Sequence, residues 1–401
     1  MGLGDVFEPF RERNYSLYFA GQTLSLTGTW FQNLALSLVV LDLTGSARAL
    51  SGVTIAQFLP MLLFSIPAGR IADRFRPRTV LLTTSLISAT LVAVLAVIVA
   101  SPDPALPALY GIVAALGSTQ AFERVAAQTI IFELVGPHLF SRGVALSTVT
   151  VAVSRSIGPG LAGILFQTFG AVPGMVVNSV SFLLVFGMLA LIRPQRFHSR
   201  RTSGAAERLP MMRFLRNRTI VTLLITNVFI ALLSLNFMVT LTSIVTIDFN
   251  GDGAAAGMAH ALNAVGGIVG GFVAASIVRL RPVMVAVALV GFGATVLINA
   301  AAPSLMWFLI AAPLLGLGIG FYNSVLNATA QLAVAPSNIG QMMSLMNIGN
   351  YGVVPFGALL LGWIIDLSSG RLALAVGGVA ALLAAGWVWS RVRGEQPEGE
   401  G

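Results

Sequence analysis

Gly69-Arg70-Ile71-Ala72-Asp73-Arg74-Phe75-Arg76-Pro77-Arg78 holds four arginines and one aspartate, in a chain whose charged residues amount to only 9%. Long apolar runs flank it on both sides. Such a cluster is too costly to keep in hydrocarbon, so the stretch is expected to be a short aqueous turn joining two membrane-spanning helices. If that turn is cytoplasmic, the orientation of every other apolar segment follows from it.

The composition agrees. Of 401 residues, 56% are hydrophobic, and the mean hydropathy is +0.88. A soluble protein of this length needs far more charge on its surface. The chain is therefore read as all-α and integral to the membrane. Its net charge of +8 comes entirely from arginine, since there is no lysine. Arginine-rich cytoplasmic loops account for that excess, and nucleic acid is not expected as a partner. Without cysteine, disulfides, thiolate catalysis and thiolate-bound metals are excluded. His138, His198 and His260 are spread too widely for a metal cluster, and no phosphate-binding G-x-x-x-x-G-K occurs. Neither a metal nor a cofactor is expected, and the chain does not read as an enzyme. Residues 1–14 carry charge and lack a short apolar core with a small-residue cleavage site, so the first apolar segment is read as a real span.

A span needs about 20 apolar residues. Twelve candidates appear: 15–42, 48–70, 79–100, 105–126, 140–169 and 172–192, then 219–247, 253–278, 283–301, 304–333, 339–366 and 371–390. The expected organisation is a first six-helix bundle over 1–192, a basic linker over 193–218, a second bundle over 219–391 and a tail over 392–401. Alternating sides from a cytoplasmic N-terminus puts 20 arginines on one side and 2, Arg48 and Arg371, on the other, with Arg155 alone inside a span. Both termini are thus expected in the cytoplasm of a cell-membrane protein. The linker arginines are expected to be solvated or drawn to anionic lipid headgroups.

The two sets of six repeat. Arg74-Phe75-Arg76-Pro77 follows the second span and Arg279-Leu280-Arg281-Pro282 the eighth, at an offset of 205 residues. Ser154-Arg155-Ser156-Ile157-Gly158-Pro159 aligns with Asn350-Tyr351-Gly352-Val353-Val354-Pro355 at an offset of 196. Two six-span halves with weak internal symmetry are the build of many secondary transporters.

Several motifs point to one family. The Gly69, Asp73 and Arg74 positions resemble the major facilitator signature G-x-x-x-D-R-x-G-R-R/K between spans two and three, from which Pro77 departs. Gly158-Pro159-Gly160-Leu161-Ala162-Gly163 resembles the G-P-x-x-G-G motif of antiporters in that superfamily, with Ala162 in place of a glycine. Phe122-Glu123-Arg124, Phe132-Glu133-Leu134-Val135 and Arg142-Gly143-Val144-Ala145-Leu146 are similar to segments of its enterobactin-exporter and macrolide-efflux branch, as are Leu43-Thr44-Gly45-Ser46 and Ala56-Gln57-Phe58-Leu59-Pro60. Val125 and Phe132 stand where that branch usually has proline. The resemblance implies a twelve-helix fold of two pseudo-symmetric bundles, with spans one, four, seven and ten lining a cavity. It also implies that Asp73 helps to hold the halves together on the cytoplasmic side in the outward-open state.

The residues themselves suggest roles. Gly69, without a Cβ, is expected to let the second span approach a neighbour closely. Asp73 at a helix end can accept hydrogen bonds from arginines or from a helix N-terminus, so Gly69, Asp73, Arg74 and Arg78 form the candidate gate. Arg155 lies past the midplane of the fifth span and stays charged. It can bind an anionic group, poise a carboxylate or serve structure through backbone carbonyls. Glu123 with Arg124 can bind a proton or a cationic drug, or form a surface ion pair. Asp42, ending the first span, is an interfacial anchor or a proton acceptor that pairs with Arg155. The second half offers Asn227, Asn236, Asn323, Asn327, Gln331 and His260. Asn323, Asn327 and Gln331 share one helix face, which must point into the bundle or a cavity. Gly158, Pro159 and Gly163 mark a bend beside Arg155. Together these residues predict a monomeric secondary transporter, exporting a bulky, partly apolar small molecule in exchange for protons. An uptake permease and a non-transporting membrane sensor are the alternatives.

Overall fold

Apolar stretches punctuated by proline and glycine build helices and almost nothing else. The computed structural model describes residues 8–192, 197, 217–277, 280–334 and 338–392. The expected linker and tail lie almost wholly outside the described residues, as does Arg279.

In the first half of the chain, α1 spans Arg13–Thr44, α2 Ala47–Leu63, α3 Ser65–Arg74, α4 Pro77–Val99, α5 Leu106–Phe169 and α6 Val172–Leu191. The second half continues with α7 Arg218–Ser234, α8 Phe237–Ser243, α9 Gly253–Ala275, α10 Val283–Ala300, α11 Leu305–Leu332, α12 Ile339–Leu367 and α13 Gly370–Val392. Among the described residues, ten helical stretches are long and apolar enough to cross a membrane. The other two expected spans fall on α2 and on the first part of α5. At 32 residues, α1 is about 48 Å long, more than a hydrocarbon core needs, so it tilts or protrudes. Gly45 closes it in the left-handed conformation (φ 60°), its N–H donating to Leu41 O.

The structure corrects four expectations. The opening arginine cluster is not a turn: the chain stays helical to Arg74, and only Phe75 and Arg76 separate α3 from α4. Charges on a helix that has already left the hydrocarbon cost no more than charges on a loop, so solvation alone could not set the helix end. The second span is interrupted at Phe64, where Pro67 has no N–H to donate to Leu63 O. Spans four and five are two helices that meet at Gly136, whose φ of 71° and ψ of 178° are not helical, so the gap expected over 127–139 is helical on both sides of that residue. The seventh span breaks at Leu235-Asn236, and its last stretch, Ile244–Asp248, is a π-turn.

Two compact units emerge. The first contains residues 1–45, 52–202 and 252–257, and the second 46–51, 203–251 and 258–401. Thus the first turn of α2 belongs with the second unit, and the first turn of α9 with the first. These exchanged segments are offset by 206 residues, close to the spacing of the sequence repeat.

Packing relies on small residues, as expected where lipid removes most of the hydrophobic drive. In the second unit Gly266 and Gly270 of α9 lie against backbone carbonyls of Pro313 and Leu317, while Gly316 and Gly320 of α11 lie against those of Asn263 and Gly267. Two G-x-x-x-G pairs therefore interlock. In the first unit, Tyr15, Tyr18, Ile130, Leu134 and Leu189 form an apolar cluster. Beside it, Arg78 donates from Nε to Leu189 O (2.8 Å) and from Nη2 to Ala190 O (3.0 Å), satisfying the last carbonyls of α6. Glu8, in a 3₁₀ turn at Glu8–Arg11, pairs with Arg142 of α5.

Candidate functional site

In the first unit, α5 carries the polar side chains that face α1 and α2. Glu123 is half-buried, hydrogen-bonded to Gln22 of α1 and close to Arg124. Tyr18, one turn before Gln22, is buried and donates to Ala127 O at 3.4 Å. One turn before Arg124, Gln120 Oε1 accepts from Gln57 Nε2 of α2 at 3.3 Å. The acid that the sequence singles out thus sits with Gln22 and Tyr18, and a separate Gln57–Gln120 pair lies one turn away along α5, none of them anticipated as site residues. Their signal was available, since amides at 22, 57 and 120 inside apolar runs need partners.

Further along α5, Ser154 meets Thr27 of α1, Oγ to Oγ1, at 3.1 Å. The Arg155 guanidinium lies over the Trp30 ring, 5.2 Å from its centroid. Gly158 sits hard against α1: a Cβ there would lie 2.6 Å from Trp30 Cβ and 2.8 Å from Thr27 O. Gly163 crosses the first turn of α9, where a Cβ would lie 2.8 Å from Gly257 Cα, and a Cβ on Gly257 would lie 2.6 Å from Pro159 O. The G-P-x-x-A-G segment is therefore a close-packing surface on two sides. Arg155 sits at the level of Trp30, and Asp42 lies twelve residues, about 18 Å, further along α1. The structure does not bring Asp42 and Arg155 together, and Asp42 is exposed at the helix end.

Gly69 has no heavy atom within 4 Å of where a Cβ would stand, so it makes no close helix approach here. Arg74 is exposed, its guanidinium 5.9 Å from the Phe75 ring centroid. Asp73 lies in α3, and its side chain is outside the description.

The second unit contains two carboxylate caps whose roles sequence reasoning missed. Asp366, near the end of α12, accepts from Ser46 Oγ (2.7 Å), Ala47 N (2.7 Å), Arg48 N (3.3 Å) and Arg48 Nε (2.7 Å). It caps the N-terminus of α2, where exposed N–H groups and the helix dipole favour an anion. Asp248 does the same for α13, accepting from Gly370 N (3.1 Å) and Arg371 N (2.9 Å). A clue was present: Arg48 and Arg371 are the two arginines on the arginine-poor side, and each needed an acceptor.

The remaining predicted residues separate. Asn227 is buried and donates to Met346 O at 2.8 Å, tying α7 to α12. His260 Nε2 is 2.9 Å from Thr242 Oγ1, a buried pair. Asn327 turns back on its own helix, donating to Asn323 O at 2.8 Å. Asn323, Asn327 and Gln331 are each half-buried. Asn236 stands at the break between α7 and α8, 5% exposed, with neither amide atom hydrogen-bonded among the described residues.

Two bundles of apolar helices, related by a repeat and threaded with a few embedded polar groups, have the build of a secondary transporter. The Major Facilitator Superfamily model matches residues 18–351 and 223–401. The chain belongs to that superfamily: it is a multi-pass membrane transporter with the twelve-helix all-α fold, and not an enzyme. It is 26% identical over 372 residues to the multidrug efflux pump Tap of Mycolicibacterium fortuitum, covering 87% of this chain and 88% of the relative. It is 21% identical over 397 residues to macrolide efflux protein A of Streptococcus pyogenes, covering 94% and 98%. Similarity to the staphyloferrin A transporter of Staphylococcus aureus (strain NCTC 8325 / PS 47) is 27% over 169 residues and spans 42% of each chain. Among solved structures, a bacterial homologue of the iron transporter ferroportin in an inward-facing state superposes with a TM-score of 0.73 at 18% identity, covering 95% of this chain and 98% of that one.

Proposed function

We propose that the protein is a proton-coupled exporter of bulky, partly apolar small molecules. It acts as a monomer in the cell membrane by alternating access, with both termini in the cytoplasm. The observation that carries the proton coupling is Glu123, a carboxyl embedded in α5 and hydrogen-bonded to Gln22. An acid in a spanning segment is costly and marks a proton or ion path. Glu123 is the carboxyl of this cluster, the side-chain type suited to carry a proton. Export is supported by the names of the relatives that match over most of their length, an efflux pump and an efflux protein.

The test is flux in proteoliposomes under an imposed pH gradient, with erythromycin and ethidium as probes. The wild type should move probe against its gradient only when protons run the opposite way. Glu123→Gln should retain probe binding and lose the acceleration by ΔpH. Equal ΔpH-driven flux in the variant removes Glu123 from the coupling path. Flux in the same direction as the protons would favour uptake.

A further inference from the structure

At the arginine-poor end of the second unit, several helices stop together around a cavity of about 520 Å³. Asp248 ends the π-turn, Ala300 ends α10 and Gly370 begins α13. The walls are Asp248, Ala300, Ser369, Arg371, Leu372 and Ala375. Spans end where hydrocarbon gives way to water, so the cavity lies at the depth of lipid headgroups. Trp307, 59% exposed in the first turn of α11, marks the same level.

The N-terminus of α13 is already capped. Gly370 N and Arg371 N donate to Asp248, and Leu372 N donates to Ser369 Oγ at 3.1 Å. What stays open is on the side chains. Each Asp248 oxygen accepts one of these N–H groups, and a carboxylate has about four acceptor positions. Arg371 donates from Nε to Ala300 O at 3.0 Å, and its guanidinium lies 5.8 Å from the Phe249 ring centroid. Its Nη groups donate to nothing among the described residues. Ser369 keeps its own O–H. Asp248 and Arg371 do not pair through their side chains, since the ion pairs among the described residues are Arg48–Asp366 and Arg142–Glu8. One cavity therefore presents a carboxylate with spare lone pairs and a guanidinium with spare N–H groups, each held in place by main-chain contacts.

Such a pair suits a zwitterion. Ammonium N–H groups can meet Asp248, and anion oxygens can meet Arg371 Nη and Ser369 Oγ. The apolar wall indicates what carries the zwitterion. Leu372 and Ala375 continue along α13 as Val379 and Leu383, at spacings of three and four residues that keep them on one helix face. Leu372, Val379 and Leu383 are exposed apolar side chains of a spanning helix, so this face runs from the cavity into lipid. The matching occupant has a zwitterionic head in the cavity and acyl chains along α13.

We propose that this cavity binds the headgroup of a phosphatidylethanolamine from the adjoining leaflet, with its phosphate on Arg371 and Ser369 and its ammonium on Asp248. Phosphatidylglycerol lacks the cation, and phosphatidylcholine lacks an N–H to donate to the carboxylate.

Native mass spectrometry of the full-length protein, titrated with these three lipids bearing identical acyl chains, reads the binding. The wild type should hold phosphatidylethanolamine about tenfold more tightly than the other two, the margin of one charge-assisted hydrogen bond. Ala375→Trp fills the cavity without removing a polar group and should abolish that margin. Asp248→Asn keeps an acceptor for α13 and should bring phosphatidylethanolamine down to the level of phosphatidylglycerol. Arg371→Gln should weaken both lipids. Thermal unfolding confirms that each variant is folded. Equal binding of the three lipids by the wild type overturns the proposal, and so does an unchanged margin in Ala375→Trp or in folded Asp248→Asn. Full displacement of the lipid by equimolar phosphoethanolamine would make the occupant a soluble zwitterion and overturn the lipid assignment. None of these readouts depends on transport.

Discussion

Two glycines in family-like motifs exchange their expected roles in the molecule. Gly69 reads as a site of close helix approach, and Gly158 as part of a bend. At Gly158 a Cβ would collide with the α1 backbone and Trp30, whereas Gly69 faces open space. Gly158→Ala must push α1 and α5 apart or bend one of them, and overpacking of this kind costs about 1–3 kcal/mol. Gly69→Ala gains helix propensity without a clash, a change of well under 1 kcal/mol on that account. Intrinsic tryptophan fluorescence during heating should therefore show a clearly lower Tm for Gly158→Ala and an unchanged or slightly higher one for Gly69→Ala. The reverse order would mean that packing at the two sites has been misread. Which glycine meets a neighbour depends on tertiary contacts, so the motif alone could not tell them apart. Arg155 was legible as an anomaly because a charge inside an apolar run stands out. Its ring partner was not, since Trp30 looks like any other apolar residue of α1.

At the scale of the element, most helices could be read from apolar length and most breaks from proline and glycine. Gly136-Pro137 marks the bend inside α5, and Pro67 the interruption between α2 and α3. The break at Leu235-Asn236 had no such mark, and neither did the π-turn at Ile244–Asp248. The caps on α2 and α13 were also hidden, because their acids come from distant positions, Asp366 and Asp248. The α2 cap combines two backbone N–H bonds with a side-chain ion pair, and these can be separated. Arg48 is exposed, so Arg48→Ala should remove an ion pair worth about 0–1 kcal/mol. Asp366→Ala should cost more, about 1–2 kcal/mol, because the first N–H groups of α2 lose their acceptor. In the same thermal assay Asp366→Ala should have the lower Tm, and adding Arg48→Ala to it should change little. Equal losses in the two single variants would show that the ion pair, and not the cap, stabilises this end.

For the whole molecule, orientation rests on the distribution of arginine. The rule concerns arginines free to act on topology during insertion, and the two exceptions are engaged with the fold. Arg48 is held by Asp366. Arg371 Nε donates to Ala300 O, and its own N–H is capped by Asp248. The family, the repeat and the number of spans could be read from sequence because they reside in patterns many residues long, where single errors cancel. The two units exchange residues 46–51 and 252–257, about one helical turn each. No local pattern announces that a turn of helix packs with the other unit. The orientation itself is open to direct test. A green fluorescent protein fused after the last residue should fluoresce, because it folds in the cytoplasm. Alkaline phosphatase fused after Asp103, in the loop between α4 and α5, should be active, because it folds outside. Removing Arg48 and Arg371 together should leave both signals as they were, since the 20 arginines on the other side dominate. A dark C-terminal fusion with an inactive phosphatase at Asp103 would invert the assignment. Glu123 would then lie toward the opposite face of the membrane, and the proposed direction of proton flow would have to be reversed with it.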